Sequence, residues 1–256
     1  MLTEIDPRVL AATNLRAVLG SLPRLAELVP EAGDLLSAVP KPTTLTLVVP
    51  SLAPVRYLFT ARGIRATDAA GRGPTLLFRS PGHANAVIAG RAQPIPVAGP
   101  SGIRFLTRVF TPLSDLLGRY LQPSAADLAD PAFRRLSTLM TLDVAARAIA
   151  VVANEDVSGR FSAAHMPDGD LDLEIGEEVR YRLEVKDHRV RLDDDLAGSP
   201  RAVLRFADLD VAGGVITGRD SALACVCDGR LAMRGFIPLV DNTSRILDRV
   251  GAYLGA

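Results

Sequence analysis

The tripeptide Val-Arg-Tyr opens an alternating segment twice, as VRYLFTARG at 55–63 and as VRYRLEVKD at 179–187, an interval of 124 in a chain of 256 residues. Near-equal halves that share landmarks in one order restrict the chain to two versions of a single architecture. Other landmarks do recur. Asp6-Pro7 returns as Asp130-Pro131, and TLVV at 46–49 faces DLDL at 170–173, pairing Leu47 with Leu171 and Val49 with Leu173. LLF at 76–78 meets LRF at 204–206, AVIAG at 86–90 meets GVITG at 214–218, RVFTPL at 108–113 meets RGFIPL at 234–239, and GRYL at 118–121 meets GAYL at 251–254. The interval drifts by a few residues between these collinear matches, as loop insertions produce. The chain reads as two domains, 1–124 and 125–256.

Each copy starts with Asp-Pro, which suits an N-cap followed by proline at the first helical position. In the second copy Phe133, Leu136, Met140 and Val144 recur at helical spacing and predict a helix that lays one apolar stripe on a sheet. Pro23 interrupts the same region of the first copy and predicts two helices there. In DLDLEI, Leu171, Leu173 and Ile175 alternate with Asp170, Asp172 and Glu174. In VRYRLEV, Val179, Tyr181, Leu183 and Val185 alternate with Arg180, Arg182 and Glu184. Both segments read as half-exposed antiparallel strands with the charges on the wet face. HRVRL, AVLRF, ALACVC and LAMRGF supply further strands, the last two joined by a hairpin at Asp228-Gly229. Leu209, Val211, Val215 and Ile216 give a short helix that stops at Gly218, and Ile246, Leu247, Val250 and Leu254 mark a closing amphipathic helix. The order is helix, strands, short helix, strand pair, helix, which is an α+β class with an antiparallel sheet of about five strands per repeat.

Acidic and basic side chains number 29 each. That balance, with no basic stripe interleaved by aromatics, argues against a nucleic-acid partner. The N-terminal MLTEIDPRVL lacks a basic start followed by an apolar stretch, and no uninterrupted apolar run reaches membrane-spanning length. A soluble cytoplasmic protein is expected, and a monomer whose two repeats pack with approximate two-fold symmetry. Cys225 and Cys227 are the sole cysteines. In a strand they share a face with parallel side chains, a poor geometry for bridging, and nothing nearby completes a metal site.

Catalytic signatures are weak. His83, His165 and His188 read as loop or surface residues, with no nucleophile elbow and no phosphate-binding glycine motif. Asp168, Asp170 and Asp172 mimic the start of a calcium loop, but the sixth position is Leu173 in place of glycine and the twelfth is Val179 in place of glutamate. No cofactor and no metal are expected.

The segment VLRFADLDVAGGVITGRDSALACVCDGRLAMRGFIPL at 203–239 resembles the sterol carrier protein type 2 superfamily of lipid-binding domains. The features that carry the resemblance are Phe206 at a strand end, Asp208 and Asp210 in an acidic short helix, Gly218, Ala222 and Ala224, then Gly229, Leu231 and Gly235. The resemblance covers about residues 130–254 directly and implies a sheet covered by helices around an apolar cavity. It implies a ligand such as a sterol, fatty acid, acyl-CoA or phospholipid, with possible transient membrane contact. The first copy departs from the pattern: Pro81 and Gly82 replace Leu209 and Asp210, and Val109 replaces Gly235. Pro94 and Pro96 also fall where a cavity wall is expected. The ligand is therefore assigned to the second copy, on Phe206, Val215, Ile216, Leu223, Leu231, Met233, Phe236 and Ile237. The function read from this is non-enzymatic transport or sensing of an apolar ligand. The alternatives are an enzyme with a hydrophobic substrate, signalled by a cavity beside His165 and Asp168, and a scaffold with closed cores.

Overall fold

A computed structural model describes residues 4–216 and 218–255. Thr217, within the GVITG match, and Met1 to Thr3 of the N-terminal segment lie outside the described residues. The chain divides into two compact units, Leu10–Met140 and Met1–Val9 with Thr141–Ala256. Both divisions fall inside helices, α1 (Pro7–Thr13) and α8 (Pro131–Glu155), and so differ from the repeat boundary between residues 124 and 125.

The first copy runs α1, α2 (Leu22–Leu28), α3 (Pro30–Ser37), β1 (Thr43–Val48), β2 (Val55–Thr60), β3 (Gly63–Ala66), β4 (Thr75–Leu77), α4 (Pro81–Ile88), β5 (Ile95–Val97), α5 (Pro100–Phe105) and α6 (Thr111–Leu121). After the short α7 (Ala125–Ala129), the second runs α8, α9 (Val157–Ala164), β6 (Gly169–Ile175), β7 (Val179–Lys186), β8 (Arg189–Asp193), β9 (Ala202–Phe206), α10 (Leu209–Ile216), α11 (Ala222–Cys227), β10 (Leu231–Gly235) and α12 (Ile237–Leu254).

The two sheets share one topology, β3-β2-β1-β4-β5 and, read in the matching sense, β8-β7-β6-β9-β10. In each, three ladders are antiparallel as expected and the central one is parallel, β1 with β4 and β6 with β9, so both sheets are mixed. Register makes the equivalence exact. Val55, Leu47, Leu76 and Pro96 form one row of the first sheet. Val179, Ile175, Phe206 and Leu231 form the same row of the second.

This corrects the letter matches within the strands. Leu47 corresponds to Ile175, not Leu171, and Leu76 to Phe206, not Leu204. The first copy spends four more residues turning from its first strand to its second, Leu47 to Val55 against Ile175 to Val179. The errors are even numbers, so the inward face was still assigned correctly, because side chains alternate with period two.

The Asp-Pro pairs start helices as read. Asp6 and Asp130 accept the N–H of Arg8 and Ala132 at 2.7 and 2.9 Å, ahead of prolines whose missing N–H costs nothing there. Pro23 does not break the chain into two helices. The helix passes it through a π-helical turn, Asn14–Val18, and a 3-10 turn, Leu19–Ser21, and breaks at Val29, whose extended backbone (φ −115°, ψ 112°) is what a following proline demands. A second π turn, Leu106–Phe110, precedes Pro112, where the ring excludes the ordinary i to i−4 bond. Helix α8 is covered on more than one stripe. By length and composition it could cross a membrane, but 72% of its apolar window is buried in the protein.

The segment ALACVC is a helix, not a strand. Ser221 accepts the Ala224 N–H, Asp228 N–H returns to the Ala224 carbonyl, and Gly229 follows at φ +79° as the left-handed residue that ends a helix. Asp228-Gly229 is thus a helix stop in place of a hairpin. Cys225 and Cys227 lie on different sides of this turn, one buried and one exposed, both free.

The expected wet face of β6 is in fact closed. Asp172 is fully buried and Arg182, opposite it on β7, is 2% exposed; they form a two-point ion pair at 2.8 and 2.9 Å. The Arg182 guanidinium also donates to the carbonyls of Ala197 and Gly198, which fold the 194–200 loop over the sheet. The first copy has Thr44 and Leu58 at these two places, with the Arg72 carbonyl accepting the Thr44 N–H at 2.8 Å.

Candidate functional site

Helix α12 lies over one side of the second sheet because its apolar residues recur at helical spacing: Val240, Leu247, Val250 and Leu254. It begins at Phe236-Ile237-Pro238, and the first copy begins α6 in the same way at Phe110-Thr111-Pro112. What precedes the helix differs. In the second copy it is a strand, β10, ended by Gly235 at φ +88°, where a Cβ would stand 2.1 Å from the Arg201 carbonyl oxygen. Val109 stands in the matching sequence position of the first copy, and there the chain is already helical. One copy therefore closes its sheet with a continuous run of helical turns, and the other with a strand followed by a helix.

The consequence for the interior is large. In the first unit Phe59 meets Phe105 and Phe110 edge to face at 5.1 and 6.3 Å, within a core that also holds Leu106, Val109, Leu113 and Leu117. In the second unit a cavity of about 970 Å³ remains. Its floor is Leu204 and Phe206 of β9 with Leu231 and Met233 of β10. Its walls are Val215 and Ile216 of α10, Ala222, Leu223 and Val226 of α11, Thr141 and Ala145 of α8, and the apolar face of α12. Polar lining is sparse among the described residues: Asp241, Ser244 and Asp248 of α12 join Thr141, with no basic side chain. The opening is apolar as well, since Leu223, Met233 and Ile237 are 72%, 45% and 66% exposed.

Seven of the residues singled out from sequence, Phe206, Val215, Ile216, Leu223, Leu231, Met233 and Ile237, thus lie around one space. Phe236 does not. Its backbone N–H donates to the Arg201 carbonyl, and its ring lies under the Arg201 guanidinium at 4.8 Å, outside the lining. Sequence reading missed Ala222 and Val226, because α11 was read as a strand, and Val240, because the closing helix was started too late. Of Pro94 and Pro96 in the first copy, Pro96 sits in β5, which is an edge strand and so tolerates the missing donor, while Pro94 precedes it. The match of RVFTPL with RGFIPL sets Thr107 opposite Met233, but Thr107 falls in the π turn of a helix, where its hydroxyl donates to the Ile103 carbonyl, while Met233 lies on β10.

Neither His165 nor Asp168 lines the cavity. His165 ends α9, its Nδ1 2.7 Å from the Phe161 carbonyl oxygen, and Asp168 accepts the Asp187 N–H. The third residue of the acidic run, Asp172, is held by Arg182.

A buried polar cluster of this unit fastens α12 to α9. Asp156 accepts the N–H groups of Ser158 and Gly159 at the start of α9 and the Tyr253 hydroxyl at 2.7 Å, with Arg249 at 3.2 Å. Burial raises the Asp156 carboxyl, but the Gly159 N–H, the Tyr253 hydroxyl and Arg249 together outweigh it and hold the group below the usual range. Burial and the bond to Asp156 push the Tyr253 phenol up to about 12. A raised acid favours the neutral phenol in the native state, so its contribution is complete below pH 10 and is lost as pH rises from 10 to 12, about 3 kcal/mol in all. Denaturation across that window should show this slope, and Tyr253→Phe should remove it; an unchanged slope in the variant would assign it to other groups.

No protein-family model matches the chain, and no curated protein matches it by sequence. Solved structures do. A protein titled UbiJ-SCP2 Ubiquinone synthesis protein is 17% identical, with a TM-score of 0.35, over 44% of this chain and 96% of its own. The sterol carrier protein domain 2 of Helicoverpa armigera is 9% identical, with a TM-score of 0.34, over 43% of this chain and 88% of its own. A crystal structure of sterol carrier protein 2 is 20% identical, with a TM-score of 0.33, over 43% of this chain and 92% of its own. Each of these matches spans less than half of this chain and most of the other.

Proposed function

We propose that the chain is a non-enzymatic carrier or sensor of an apolar ligand, held in the second unit and bound by a monomer. The observation that supports this most is the contrast between the two repeats. Both have one topology, yet the first fills its interior with Phe59, Phe105 and Phe110 while the second keeps about 970 Å³ open behind an apolar mouth. A space of that size fits a lipid or sterol. Apolar walls with an exposed apolar rim cost stability unless something covers them. Among the described residues, the carboxylates and hydroxyls of the lining come from Thr141 and α12, and no histidine or cysteine joins them.

Native mass spectrometry of the purified protein, followed by organic extraction, tests this reading. A co-purifying lipid, or a rise in melting temperature with at least one member of a sterol, fatty-acid and phospholipid panel, is the expected result, because a ligand that binds only the native state stabilises it. An empty protein that no lipid stabilises would sink the proposal.

A further inference from the structure

The balanced net charge conceals an opposition. Unit Leu10–Met140 contains 14 basic and 7 acidic residues, a net of +7, which leaves 15 basic and 22 acidic residues, a net of −7, for the other unit. The total therefore does not exclude a polyanionic partner for the first unit. Its excess is concentrated: residues 69–114 contain Arg72, Arg79, Arg91, Arg104 and Arg108 and no aspartate or glutamate. All five are exposed, and among the described residues none of them forms an ion pair.

This segment folds around the edge strand β5. His83, at the start of α4, accepts the Arg79 N–H at 3.0 Å, and its other ring nitrogen lies 3.1 Å from the Gln93 carbonyl oxygen, which ties the ends of α4 to the approach of β5. Gly102 brings α5 close against Ala98 just beyond the strand. Along the same path four aliphatic side chains stand in solvent: Ile88, Ile95, Val97 and Ile103, 36%, 40%, 54% and 41% exposed. The three phenylalanines of the segment point into the core: Phe78 and Phe105 are buried, and Phe110 is half-buried with its ring edge to face on Phe59.

We infer that the β5 edge of the first unit, with Arg79, Arg91 and Arg104 around Ile95 and Val97, docks on the surface of an anionic lipid bilayer. Arginines supply phosphate contacts, and aliphatic side chains gain by entering the interface between headgroups and acyl chains. Single-stranded nucleic acid would be met by exposed aromatic rings on which bases stack, and here the rings face inward. The choice of a bilayer also rests on the carrier reading above, since an apolar ligand has to be collected from a membrane. In that division of labour one repeat binds the surface and the other the cargo.

Co-sedimentation with phosphatidylcholine vesicles, with and without phosphatidylserine, tests the surface apart from the cavity. Binding to the anionic vesicles alone is expected, weakening as salt is added. The triple variant Arg79→Gln, Arg91→Gln, Arg104→Gln should partition about a hundredfold less, with an unchanged melting temperature. Val97→Ser should weaken it in the same direction. Equal binding to both vesicle types, an unaffected triple variant, or binding of single-stranded RNA in place of vesicles would overturn the inference. Uptake of a fluorescent lipid from solution without vesicles reports on the cavity alone, so a failure of the carrier reading is told apart from a failure of this one.

Discussion

Asp172→Ala is expected to lower the unfolding free energy by about 3–5 kcal/mol, because it strands the Arg182 guanidinium in a place with almost no access to water. Arg182 would keep only the carbonyls of Ala197 and Gly198, which carry no compensating charge. The repeat supplies the rescue. At the same two places the first sheet holds Thr44 and Leu58 and closes its own loop over them without an ion pair. The double variant Asp172→Thr, Arg182→Leu should therefore recover most of the loss, since replacing a buried pair by packed residues is often close to neutral. Urea denaturation of the single and double variants decides it. A double variant as unstable as the single one would mean that the pair does more than neutralise itself, and that the 194–200 loop depends on Arg182 to close.

That pair also shows where the sequence was readable and where it was not. Alternation placed Leu171, Leu173 and Ile175 on the core side correctly, since period two is a property of the strand itself. It could not show that the opposite face would be covered, because the cover is a loop without periodicity, and so Asp172 looked like a solvated charge. The duplication was legible because collinear landmarks survive insertion. The exact register was not, because the difference in turn length between the first two strands of each copy leaves no mark on the letters. ALACVC was lost for a related reason. Six small and apolar residues fit a strand or a helix equally, and Asp-Gly serves as readily to end a helix as to turn a hairpin. The residues of the cavity were largely reached through the resemblance, on β9, β10 and α10 with Leu223 and Ile237 beside them; Ala222 and Val226 of α11 and Val240 of α12 stayed hidden behind the misread segment.

Met233→Glu is expected to weaken binding of a fluorescent sterol or fatty acid by roughly a hundredfold, an effect of about 3 kcal/mol. Met233 pairs with Leu204 on the cavity floor, and its side chain reaches the mouth, where it is 45% exposed. The variant should fold, because a glutamate there can turn its carboxylate to water in the empty protein. A ligand in the cavity would take that water away, and the charged groups of the described lining are the carboxylates of Asp241 and Asp248, which repel the new charge. Covering about 300 Å² of apolar ligand surface stabilises the complex by roughly 7 kcal/mol before association costs, so the penalty removes a large share of the affinity. Met233→Leu, which keeps the volume and the apolar surface, should bind nearly as the parent does. Thr107→Glu, on an exposed helical turn of the other unit, should leave affinity unchanged. If Thr107→Glu abolished binding while Met233→Glu preserved it, with both variants folded, the ligand would belong to the first repeat, and its phenylalanine core would have to open to admit it.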